Sequence, residues 1–142
     1  MAEIIRIGAL HLLFLRTKHD TGGALDMFEM TVPPKARVPL PHNHRDWKET
    51  VYGLSGTFTV DGERIEIGPG ESAFIPRGIV HGFEKLGTEA ASCLSVLTPG
   101  VLGPEYFRQL AALVAAGLPD PAALRAVMDT YGLVPVEPRA VG

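Results

Sequence analysis

Gly or Pro interrupts the chain up to residue 100 at spacings of roughly eight to twelve, a rhythm that leaves room for short strands and little else. Pro cannot donate to a sheet ladder, and Gly tolerates the positive φ of tight turns, so each break is a place for a strand to stop. The excess is large: 16 Gly and 12 Pro make about a fifth of 142 residues, where average usage gives roughly an eighth. No collagen-like period or low-complexity tract accompanies it. Between the breaks, residues 4–10, 12–16, 25–32, 49–54, 57–60, 64–67, 73–75, 79–83 and 91–97 read as strands. The stretch 25–32 stops at Pro33-Pro34, and Asp61-Gly62 is a hairpin turn of the strongest sequence type. The expectation is an all-β sandwich or barrel.

Past Pro99-Gly100 the period changes. Gly103-Pro104 opens a helix with proline in its first turn, and Gly117 closes it. Tyr106, Phe107, Leu110, Leu113 and Val114 form one apolar stripe at helical spacing. Asp120-Pro121 caps a second helix over 122–131 that Gly132 ends, with Leu124, Val127, Met128 and Tyr131 on one face. Such stripes pack on the barrel or on a second subunit. The expected division is a β-barrel over 1–100, a helical extension over 101–132 and a loose tail over 133–142.

Composition narrows the function. A formal charge of −3 and a pI near 5.9 argue against a nucleic-acid surface and a polybasic membrane patch. A lone cysteine, Cys93, cannot form an internal disulfide, and the N-terminus lacks the sections of a signal peptide. No apolar stretch approaches the ~20 residues of a membrane helix. A cytoplasmic protein is expected. No G-x-S-x-G elbow, Walker or dinucleotide fingerprint occurs, so a nucleophilic hydrolase or nucleotide enzyme is set aside.

The chemistry lies in Pro41-His42-Asn43-His44-Arg45-Asp46-Trp47-Lys48-Glu49. Residues two apart on a strand share a face, so His42 and His44 aim at one point. The chain then turns, and Glu49 returns along the neighbouring strand. His81, after Pro76-Arg77-Gly78, is the candidate fourth ligand. Three imidazoles and a carboxylate suit one divalent Fe, Mn, Ni, Cu, Co or Zn ion, without the thiolates of structural zinc. His11 and His19 stand alone and read as surface or satisfied core residues.

These residues resemble the two motifs of the cupin superfamily. His42, His44, Glu49 and Gly56 match the first, G-x5-H-x-H-x(3,4)-E-x6-G, with Ala36 in place of its first glycine. Gly70, Pro76, Gly78 and His81 match the second, G-x5-P-x-G-x2-H-x3-N, with Lys85 in place of its asparagine. The resemblance implies a double-stranded β-helix (a jelly-roll barrel), here followed by two C-terminal α-helices. It also implies metal binding through His42, His44, Glu49 and His81. The single-domain form is similar to quercetin-dioxygenase-like cupins, which implies an enolic or aromatic substrate cleaved with O2.

A carboxylate beside a metal can take a proton, so Glu49 is the candidate catalytic base. On the strand pattern Phe28, Val51, Phe58, Phe74, Ile79, Phe83 and Leu94 are the candidate apolar walls of a small-molecule pocket. Arg37 and Trp47 lie near its mouth by sequence. The function expected is a metal-dependent dioxygenase. A redox-neutral isomerase, lyase or cyclase uses the same ligands, and a non-enzymatic binding module is the third reading. The apolar N-terminal strands leave an edge that a homodimer would cover.

Overall fold

A computed structural model describes residues 3–34, 37–61, 65–78, 81–84, 89–117 and 121–135, with backbone alone at 37–43, 58, 61, 65, 81–84 and 135. Among the described residues, eleven strands and two helices follow one another along the chain. The N-terminal strands are β1 (Glu3–Ile7), β2 (Leu10–Arg16) and β3 (Asp26–Val32). β4 (Arg37–His44), β5 (Lys48–Ser55), β6 (Phe58–Asp61), β7 (Ile65–Ile67), β8 (Ser72–Ile75), β9 (His81–Glu84) and β10 (Ala91–Thr98) come next. Helices α1 (Gly103–Ala115) and α2 (Pro121–Thr130) precede a last strand, β11 (Leu133–Pro135).

The strands form two antiparallel sheets that share one buried core, the jelly-roll arrangement with two C-terminal helices. One has the order β1-β2-β3-β10-β5-β8 and the other β11-β4-β9-β6-β7. Among the described residues they stay two sheets and do not close into one ring of paired strands. Alternation decides what faces inward. β10 buries Ala91, Cys93, Ser95 and Leu97, β5 buries Glu49, Val51 and Gly53, and β3 buries Asp26, Phe28, Met30 and Val32.

α1 packs against β1 and the aromatic core of β2 and β3. Phe107 packs its ring on Phe14 and Phe28 at 5.6 and 5.3 Å between centroids. Burying rings of this size is worth roughly 1.5–3 kcal/mol each, which holds a helix with no side-chain N-cap. Backbone amides at its start are met by a strand residue instead. The buried Asp26 carboxylate accepts from Gly103 N at 2.9 Å and from Lys18 N at 2.7 Å. Gly103 takes φ 74°, a left-handed backbone that strains any residue with a Cβ, so this junction favours glycine.

Two features depart from the expected boundaries. The first hairpin turns at Gly8-Ala9 with Ile7 opposite Leu10, because Gly8 takes the positive φ that a two-residue turn requires. The tail expected from residue 133 begins as β11, with Leu133 paired to His44 and Pro135 to His42. Gly132 (φ 86°) lets the chain leave α2, and Leu133 is buried against the core. Residues 136–142 and the expected cap Asp120 lie outside the described residues. No helix among the described residues is long and apolar enough to cross a membrane.

Candidate metal centre

β4 and β5 belong to opposite sheets, and Arg45-Asp46-Trp47 carries the chain across between them. The crossing is pinned where it leaves β4: Arg45 N donates to Gly132 O, and Gly78 N donates to His44 O. His44 at the end of β4 and Glu49 near the start of β5 therefore meet inside. They are 3% and 5% exposed, and His44 Nε2 lies 3.8 Å from Glu49 Oε1. That separation is too long for a direct hydrogen bond. It suits two donors sharing one ion, since two bonds of about 2.1 Å span up to about 4.2 Å.

The other two histidines are placed by register. His42 stands two residues before His44 on β4, and its cross-strand partner on β9 is His81. Three histidine positions thus cluster at one end of the five-stranded sheet, and Glu49 comes to them from the six-stranded one. Among the described residues no group of three or more His, Cys, Asp or Glu side chains is found, as His42 and His81 enter by backbone position alone.

Trp47 packs behind His44. Its indole stacks on the imidazole with 4.6 Å between centroids and 21° between planes, and its side chain is fully buried. The indole Nε1 has no hydrogen-bond partner among the described residues, and neither has the buried Tyr106 hydroxyl. Burial pushes the Tyr106 phenol well above its usual range, so the group stays neutral. Burial, and then the nearby Glu49 carboxylate, push the Cys93 thiol up to about 12. Cys93 is therefore a neutral thiol that packs in the interior of β10.

A family model described as a cupin domain matches residues 28–97. The polyketide cyclase RemF from Streptomyces resistomycificus is 30% identical, over 69% of this chain and 72% of its own, with a TM-score of 0.57. The chain belongs to the cupins. A predicted oxalate decarboxylase from Thermotoga maritima is 25% identical over 70% of this cupin and 92% of that chain, with a TM-score of 0.60. Quercetin 2,3-dioxygenase of Bacillus subtilis (strain 168) is 34% identical over 79 residues, which take in 54% of this cupin and 23% of that enzyme. This cupin thus spans about a quarter of the curated relative it matches. Cupins commonly bind a transition metal, and the relatives named here differ in their chemistry.

Not all the expected wall residues of this cupin face the interior. Val51 does, two residues from Glu49 on the same face. Phe28 is buried, but in the aromatic cluster with Phe14 and Phe107. Phe58 and Phe83 hold strand positions on β6 and β9, and Ile79 lies outside the described residues. Phe74 is corrected: it is 56% exposed, because its neighbours Ala73 and Ile75 take the inward positions of β8. Leu94 is corrected too, since Cys93 and Ser95 are the inward residues and Leu94 half-buries on the outer side. Trp47, expected near the mouth, is wholly interior. Of the lone histidines, His11 is exposed and His19 pairs with Glu105 at the start of α1.

Sequence reasoning passed over Ser95 and Tyr106. Ser95 is fully buried at the position cross-strand from Val51, and the alternation of β10 is the signal that finds it. Tyr106 was read as part of a packing stripe, and only its buried hydroxyl marks it out.

Proposed function

We propose that this cupin is a metal-dependent enzyme that brings a small enolic or aromatic molecule together with O2. His42, His44, Glu49 and His81 hold one divalent transition ion in this reading. The observation that carries it is the buried His44–Glu49 pair, with nitrogen and oxygen donors 3.8 Å apart at the end of the sheet where His42 and His81 are register partners. The donor set, imidazole and carboxylate without thiolate, fits Fe, Mn, Ni, Cu, Co or Zn. When bound, such an ion supplies Lewis acidity toward an enol or carbonyl oxygen and, if redox-active, access to O2.

The chain's own residues do the rest. Glu49 accepts the proton of the enol hydroxyl or acidic C–H, which leaves the substrate as an electron-rich anion. Val51 supplies an apolar wall beside that carboxylate and keeps bulk water from it. Trp47 holds the His44 ring in one orientation by stacking on its face. The substrate is the electron donor and O2 the acceptor, as in the quercetin 2,3-dioxygenase to which part of this chain is similar.

A second reading has its own support. RemF, a polyketide cyclase, is matched over 72% of its length, against 23% for the dioxygenase. The same residues with a redox-inert ion would stabilise an enolate with no oxygen consumed. Elemental analysis of untagged protein, beside His81→Ala, is the first test. Near-stoichiometric Fe, Mn, Ni or Cu that is lost in the variant is the expected result, followed by O2 uptake with a flavonol or a β-diketone. Anaerobic turnover selects the cyclase-like reading. No metal in either sample after reconstitution would overturn both.

We propose also that two copies pair through the six-stranded sheet. β1 is an edge strand with Ile4 more than half exposed on its outer side, and at the opposite edge Phe74 of β8 is equally exposed, next to Tyr52 and Leu54 of β5. Apolar residues of this size on one sheet face mark an interface in a stable protein. Light scattering is expected to give about twice the chain mass of 15.2 kDa. A mass equal to one chain would overturn this.

A further inference from the structure

We propose that Trp47 is a ligand-binding residue of this site, whose indole N–H donates a hydrogen bond to an anionic oxygen, enolate or phenolate, of the bound molecule. The inference rests on the small-molecule reading above and names the chemistry that reading selects. Trp47 is fully buried, yet its Nε1 has no acceptor among the described residues. A buried N–H left unmade costs about 1–3 kcal/mol, and Phe would fill much of the same space at no such cost. Every other feature of the side chain is satisfied: one ring face stacks on His44, and Cζ3 rests near Gly132, where an added methyl group would come within 3.1 Å of it.

That contact also fixes where the donor points. In indole, Cζ3 and Nε1 lie on opposite sides of the bicycle. With Cζ3 held at Gly132, the N–H edge turns away from the α2–β11 junction. The indole stacks on the His44 imidazole with 4.6 Å between ring centroids and 21° between the planes. The donor that lacks an acceptor among the described residues thus belongs to the ring packed directly on His44, beside the place where a bound molecule would meet His44 and Glu49. A neutral indole donor next to a proton-accepting carboxylate favours the deprotonated oxygen, since hydrogen bonds to charged acceptors are about twice as strong as neutral ones.

The test uses the fact that Trp47 is the only tryptophan of the chain, so one indole N–H resonance reports on it alone. Zinc-loaded, 15N-labelled protein is titrated with acetylacetone and, separately, with quercetin. The resonance is expected to move downfield with either probe. Trp47→Phe, which keeps the stack, is expected to bind the probes about tenfold more weakly, or 1.4 kcal/mol, with metal content unchanged. If His44 ring signals show a probe bound while the indole signal stays in place, the donor role is overturned and the metal reading stands. If metal loads and neither probe binds, the small-molecule reading falls, and the donor role with it. The wild-type titration is independent of how well the Phe variant folds.

Discussion

Glu49→Gln is expected to weaken metal binding by about a hundredfold or more and to lower turnover further. Gln keeps the size of a side chain that is almost fully buried, so the core around Val51, Leu97 and Ile75 stays filled. It removes the charge that would face the ion and the oxygen that would accept the proton. Changes to groups that only orient metal ligands already cost about 10–100-fold, so loss of a ligand's charge lies at or beyond that range. General-base catalysis contributes a further factor of about 10²–10⁴ where it operates. Competition with a chelator measures the first effect and single-turnover kinetics the second. Wild-type metal affinity in the variant would remove Glu49 from the ligand set. Weakened affinity with an unchanged rate per loaded site would remove it as the base.

Asp26→Ala is expected to cost about 3–6 kcal/mol of stability and to lower Tm by roughly 6–24 °C while metal binding persists. One carboxylate accepts from two backbone amides, Lys18 N and Gly103 N, which tie the β2–β3 connection to the start of α1. Hydrogen bonds to a charged group contribute roughly 1.5–3 kcal/mol each, and alanine leaves both donors without that acceptor. For a chain of this length 1 kcal/mol moves Tm by roughly 2–4 °C. Asp26→Asn retains one strong acceptor and should lose about half as much. Asp26 and Glu49 are both cross-strand partners of Leu97, so one row of the sheet links the staple to the site. Thermal unfolding followed by circular dichroism reads the loss. An Asp26→Ala protein that melts with the wild type would show that α1 is held by its aromatic contacts alone.

The contrast between β8 and β5 shows how far the chain can be read without its fold. Both alternate, and in β5 the wide difference between Glu49, Val51 and their neighbours Thr50 and Tyr52 made the inward side plain. In Ser72-Ala73-Phe74-Ile75 the largest ring looks like the natural core residue, and it faces out. Register decides this: Ala73 pairs with Val51 and Ile75 with Glu49, so β8 inherits its phase from its neighbour. The inward side is also crowded there. A methyl group on Gly53 would sit 2.1 Å from Gly68 O, and no ring fits where two backbones come that close. Leu94 is the same lesson on β10, where small Cys93 and Ser95 take the interior.

A cupin-type β-structure with two helices after it is legible along the chain, because strand length, turn chemistry and helical period are local properties. The four residues to watch are legible too, since their spacing is read along the chain. The meeting of His44 and Glu49 from opposite sheets, the interior place of Trp47 and the pairing of residues 133–135 with β4 emerge from the three-dimensional packing. Those outcomes depend on which strand lies beside or across from which. The free energy of burial that selects such a pairing is a sum over distant residues, so no window of sequence contains it.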